Sequence, residues 1–247
     1  MFELILPRGF RRKPKGWGED GLSRYIDGAY NNCRATFERK RERFDRLVAI
    51  HDAFENGADK WTNPTSPIAA LLYVRAQGAF MAASQHAMAG QMAETYPLIR
   101  CCLEYAGYAL HIAKNDALSD VWLNRHDDDR TLARAKSEFR ISEIRKTINL
   151  ANNRSLEIFD TLYQQAIDMG GHANERAMSG SLDIIERDGG KEFRQQLLHG
   201  DGVAMEHALL SCARAGVCAL EILQEAFPER FELLGLRHQL PMLRQGL

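Results

Sequence analysis

The chain has 247 residues, with 32 basic side chains against 33 acidic ones and five cysteines. That length suits one large core, stable without disulfide or metal, and the even charge excludes a whole-molecule polyanion binder. Cys33, Cys101, Cys102, Cys212 and Cys218 show no CxxC or CxH spacing, which argues against a disulfide framework or a zinc site and for a reducing cytoplasm.

Residues 1–20 hold Pro7, Gly9, Pro14, Gly16 and Gly18 among basic residues, an irregular basic arm. "FELIL" precedes "RRKPK", the reverse of a secretory leader, and no apolar run reaches the ~18 residues that span a bilayer. A cytoplasmic chain without membrane association is expected. From Leu22 to about Glu55 the pattern is helical, and Glu42 and Arg46 are correctly ordered for an i,i+4 pair. Its charged centre reads either as a solvated face or as a contact patch for a partner. Ser66 before Pro67 marks a helix start, with the helix running to about Ala89. Gly90 loosens the chain. Thr95 and Pro97 mark another start, for a helix over 96–114. Asp116 can cap a short helix containing Trp122. Further helices are predicted over 131–151 and 154–169, the second ended by Gly170-Gly171 through a left-handed conformation. Asp188-Gly189-Gly190 between two short runs predicts a β-hairpin near 181–198. A helix follows over 203–226, before Pro228, and the tail carries a short amphipathic piece. The fold class is mainly α: a single-domain helical bundle over 21–247 with one inserted hairpin.

Motifs for known chemistry are mostly missing. There is no Glu-x-x-His, HExxH, HxxxH, P-loop or GxGxxG, so neither a helical metal site nor a nucleotide loop is expected, and no cofactor. His-Asp pairs occur at His51-Asp52 and His126-Asp127, without the other ligands of HD phosphohydrolases. Arg-x4-His occurs at Arg46/His51 and Arg194/His199, a spacing found in HEPN-type helical ribonucleases but close to chance frequency here.

The most informative stretch is "LIRCCLEYAGYALHIA", residues 98–113. Apart from Arg100, Glu104 and His111 it is apolar or Gly, so the helix should be buried, and those three fall within ~40° of one another. Gly107 on the same stripe would admit a backbone or a ligand. Arg75 and His86 share the spacing of Arg100 and His111. In an antiparallel pair turning near residue 93, Arg75 would lie level with His111 and His86 with Arg100. Such a cluster either satisfies itself or binds a carboxylate or phosphate. "GGHANERAMSG", residues 170–180, is then expected to dock His172 or Arg176 on Glu104. The candidate ligand-binding residues are Arg75, His86, Arg100, Glu104, His111, His172 and Arg176, with no catalytic residue assigned.

"PLIRCCLEYAGYALHI", Trp122, "LYQQAIDMGGHANERAM" and the hairpin, within residues 66–226, together resemble a group of uncharacterised bacterial all-helical proteins loosely associated with the HEPN superfamily. Ala173 stands where a proline after His172 is expected. The resemblance implies a helical bundle, a dimer, and a link to phage defence or stress, and it carries no catalytic assignment. Expected partners are therefore a second copy and an anionic small molecule. The functions in contention are a cytoplasmic protein binding an anion or a protein partner through the Arg/His/Glu stripe, a metal-independent ribonuclease acting on RNA, and a purely structural or interaction domain. Whether the chain is an enzyme stays open.

Overall fold

The alanine- and leucine-rich stretches fold as helices in a computed structural model that describes residues 13–171, 180–187 and 189–247. In chain order these are α1 (Gly21–Arg39), α2 (Arg41–Ala58), α3 (Pro67–Ala89), α4 (Met92–Lys114), α5 (Ala117–Leu123), α6 (Asp129–Glu138), α7 (Ile141–Ala151) and α8 (Asn153–Ala166), then a π-helical turn, Ile167–Gly171. The antiparallel hairpin of β1 (Leu182–Arg187) and β2 (Gly190–Gln195) follows, and α9 (Val203–Ala226), α10 (Pro228–Leu233) and α11 (Leu236–Leu243) complete the chain. The fold is mainly α with one inserted hairpin, as the sequence predicts. The hairpin register runs from Leu182 opposite Gln195 to Arg187 opposite Gly190.

The α3–α4 pair forms the largest interface, and α9 packs on both of them and on α2 and α8. Among the described residues α9 alone is long and apolar enough to cross a membrane, but 67% of its most apolar window is buried inside the molecule. It is the core helix. Two glycines permit the close packing. A Cβ on Gly216 of α9 would lie 2.6 Å from the Phe80 ring and 2.7 Å from Ile50. A Cβ on Gly57 would lie 1.9 Å from the Tyr73 hydroxyl, which donates to the Phe54 carbonyl (3.0 Å).

Several boundaries differ from the sequence reading, each for a tertiary reason. The helix predicted over 22–55 is two helices, broken at Lys40. The Lys40 ammonium leaves the helical register to reach Asp201 (2.5 Å) and Glu206 (2.6 Å) at the start of α9. Arg43 joins Glu206 (3.0 Å), and Arg46 donates to the Gln245 carbonyl (2.6 Å) instead of pairing with Glu42. The helix predicted over 131–151 is broken at Phe139, whose buried ring packs edge-on against Tyr108 and beside Trp122. Ser66 does precede α3 but makes no capping bond, because its hydroxyl donates to Asp116 (3.4 Å). Asp116 likewise accepts from the Ser66 and Ser119 hydroxyls and makes no capping bond to a backbone N–H of α5.

The turn between α3 and α4 lies at Gly90 and Gln91, not near residue 93, and α4 begins at Met92 with Pro97 inside it. Gly90 takes the left-handed conformation (φ 81°). Its missing Cβ admits the His199 backbone, whose N–H donates to the Gly90 carbonyl (2.8 Å). The Asn32 amide donates to the Ala89 and His199 carbonyls (3.0 and 3.2 Å), so α1, the α3 terminus and the segment before α9 meet at one point. Pro97 lacks the N–H that would take the Ala93 carbonyl. The backbone of Gly170 approaches there, where a Cβ would sit 2.2 Å from that oxygen. Gly170 therefore ends a π-helical turn against α4, and its φ of 162° is not left-handed.

Candidate functional site

The polar stripe of α4 is half-buried and faces α7 and α8. Arg100 Nε meets Glu104 Oε1 at 2.8 Å, and the side chains keep 28% and 23% of their exposure. The Tyr163 hydroxyl of α8 donates to the same oxygen (2.8 Å). Burial first, then the Glu104 carboxylate beside it, pushes the Tyr163 phenol up to about 12. Arg100 and Arg145 both lie over the Tyr163 ring at 5.5 Å, and Arg145 pairs with Asp160 (2.6 Å). Tyr163 is the member the sequence reading missed, because its spacing placed it in the apolar face of α8. A Cβ at Gly107 would meet Ile144 at 2.6 Å, so the glycine makes room for α7 and not for a ligand.

His111 lies further along the stripe. Its Nδ1 lies 2.7 Å from the Thr147 hydroxyl, which is also 3.2 Å from the Glu143 carbonyl. Nε2 is buried, with no hydrogen bond of ordinary geometry. Burial holds the ring below its ordinary value, against the pull of the Glu138 carbonyl and of the Glu138 and Glu143 charges.

Arg75 and His86 do not join this group. With the turn at Gly90, Arg75 is exposed and its guanidinium lies over Tyr105 (5.4 Å), not level with His111. His86 lies on the opposite side of α3, toward α1 and α2. His172 and Arg176 lie outside the described residues.

His86 instead lines a cleft of about 610 Å³ between α1, α2 and α3. Its walls are mostly apolar: Ile26 and Tyr30 from α1, Phe44 and Val48 from α2, Phe80 and Met81 from α3. Ligand clefts span roughly 300–1,000 Å³ and combine such walls with a few polar groups. Here those groups are His51, Ser84 and His86. His51 Nδ1 and Ser84 Oγ are without solvent contact and without a hydrogen-bond partner. Ser84 does not even make the common bond to the carbonyl four residues back. His86 Nδ1 meets the Ala82 carbonyl (2.9 Å), which can only accept. In the neutral ring Nε2 is therefore an acceptor. Burial raises the Cys33 thiol on the same wall, so no reactive thiolate is present.

Other groups were singled out by spacing. Of the Arg-x4-His pairs, Arg46 holds the C-terminal segment while His51 lines the cleft. Arg194 bonds Glu192 on the hairpin (2.8 Å), while His199 Nε2 meets Ser181 Oγ (2.9 Å). Among the described residues, His51, Asp52 and Glu55 bring ligand atoms within 4.8 Å of one another, a set able to hold a metal ion. They are neighbours by helical spacing and the two acids are exposed, which assigns no metal by itself. All five cysteines are free thiols. The sequence matches no protein-family model, no curated protein and no solved structure.

Proposed function

We propose that the chain is a binding protein whose α1–α2–α3 cleft takes a small apolar molecule with one uncharged hydrogen-bonding head. The observation that carries this is a mostly apolar cleft of ligand size whose lining residues include His51, Ser84 and His86, the last with its Nδ1 already donating to the Ala82 carbonyl. A ligand hydroxyl can donate to His86 Nε2, the acceptor of the neutral ring. The stripe of Arg100 and Glu104, first expected to hold an anion, satisfies itself with Tyr163. The ligand is accordingly placed in the cleft. Five free thiols favour a cytoplasmic location.

Nile red titration tests the proposal. Saturable one-to-one enhancement is expected, with decanol displacing the dye more strongly than decane. Met81→Trp should fill the cleft and abolish binding. A protein that fails to bind the dye, or that binds it unchanged in the Met81→Trp variant, would refute it.

The expected homodimer keeps one supporting observation. Leu22, Ile26, Tyr30 and Phe37 lie along one face of α1 with 69%, 43%, 57% and 37% of their surface exposed. Sedimentation of the wild type beside Ile26→Glu checks whether a second copy covers this face.

A further inference from the structure

A second cavity, of about 310 Å³, lies between α8, α9 and the segment after α11. It carries a different chemistry from the cleft. Three arginines line it: Arg154 of α8, Arg214 of α9, and Arg244. Arg244 is committed to Glu221 (3.1 Å), a carboxylate buried to 8% exposure that needs a cation beside it. Arg154 and Arg214 are not committed. Neither forms a hydrogen bond or ion pair with any described residue, although Glu157 lines the same cavity. Glu157 instead accepts from the Asn153 amide (3.3 Å).

The position of Arg154 is informative. It is the second residue of α8, and a cation in a first turn opposes the helix macrodipole. Helix stability therefore does not account for it. Ile158, Leu162 and Val217 line the cavity with them. With Glu221 neutralised by Arg244, two free arginines face one glutamate. Leu247 lines the cavity as well. Arginine matches the planar carboxylate fork.

We infer that this cavity is a binding site for a small organic monocarboxylate, gripped by Arg154 and Arg214 with its apolar part on Ile158, Leu162 and Val217. The site is independent of the α1–α2–α3 cleft. Benzoate and hexanoate are the probes, titrated calorimetrically into the full chain beside hexanol and inorganic phosphate. Saturable binding of a carboxylate is expected, at least about tenfold tighter than hexanol or phosphate. Arg154→Gln and Arg214→Gln should each weaken it about five- to tenfold. Both residues are exposed and unpaired, so their variants should melt like the wild type. Met81→Trp, which blocks the cleft, should leave carboxylate binding unchanged. The inference is overturned if neither carboxylate saturates below about 10 mM, if both arginine variants bind like the wild type, if phosphate binds more tightly, or if Met81→Trp removes the binding.

Discussion

The two sides of the α3–α4 pair are filled to different degrees, although each holds buried polar atoms without a partner, His111 Nε2 and Ser155 Oγ on one and His51 Nδ1 and Ser84 Oγ on the other. Toward α7 and α8, Glu104 is held by Arg100 and Tyr163, Arg145 by Asp160, and the space over Gly107 is filled by Ile144. Toward α1 and α2, His51 and Ser84 have no partner for a buried atom, and about 610 Å³ is left between the helices. Both sides carry polar residues on helices that pack against the core. The difference is filled space: Ile144 occupies the room over Gly107, while the cleft stays open.

Substitutions can break or sharpen this contrast. The largest effect is expected on the filled side. Gly107→Val should cost about 3 kcal/mol in urea unfolding, because its first added carbon already meets Ile144 and α7 must move. Glu104→Ala should cost about 2 kcal/mol, since it removes the carboxylate that accepts from both Arg100 and the Tyr163 hydroxyl, and Tyr163→Phe about 1 kcal/mol. Losses within about 0.5 kcal/mol would place the stripe among ordinary surface positions. A smaller effect is expected from pH. The folded-state value of His111 lies below its ordinary 6.5, so the fold binds fewer protons there than the unfolded chain does. The contribution is full above about pH 6.5 and is lost as pH falls through the depressed value. His111→Gln should flatten that part of the stability profile, and an unchanged slope would assign it elsewhere. The smallest effect is expected in the cleft. Ser84→Ala should change stability by no more than about 0.5 kcal/mol in the stabilising direction. A destabilised Ser84→Ala would mean that the hydroxyl is satisfied within the protein.

The long helices were legible because periodicity and punctuation agreed: Ser66-Pro67 and Gly90 bracket α3, and Asp188-Gly189-Gly190 announces the hairpin. The breaks at Lys40 and Phe139 were not. Neither carries a glycine or proline, and each is imposed by partners far along the chain, Asp201 and Glu206 for one and Trp122 and Tyr108 for the other. The stripe on α4 was visible from its three polar residues, but its register against α3 depended on a turn placed too late, so Arg75 and His86 were assigned to the wrong neighbours. The cleft left little trace in the sequence. Ile26, Tyr30 and Phe44 look like core residues, and a void is a failure of packing that no spacing records. The only local signal was Ser84 within the alanine-rich run of α3.

The meeting of Asn32, Gly90 and His199 has a consequence for how the protein is made. The Asn32 bond to the His199 carbonyl spans 167 residues, and Lys40 must likewise await Asp201 and Glu206. While the chain emerges from the ribosome, α3 and α4 can pair as soon as residue 114 is free, since their contact is local. The wall built by α1 already bonds α3 through Asn32 to Ala89 and Thr36 to Met88, but its bonds to His199 and Glu206 wait for that segment to follow. During that interval the apolar faces that α9 later covers stand open, including the groove at Ile50 and Phe80 that receives Gly216. A nascent chain stalled before residue 199 should therefore hold α1 less firmly than the full chain does, and it should be the form that chaperones bind and proteases cut. Limited proteolysis of stalled chains of increasing length would show protection of α1 arriving late and in one step.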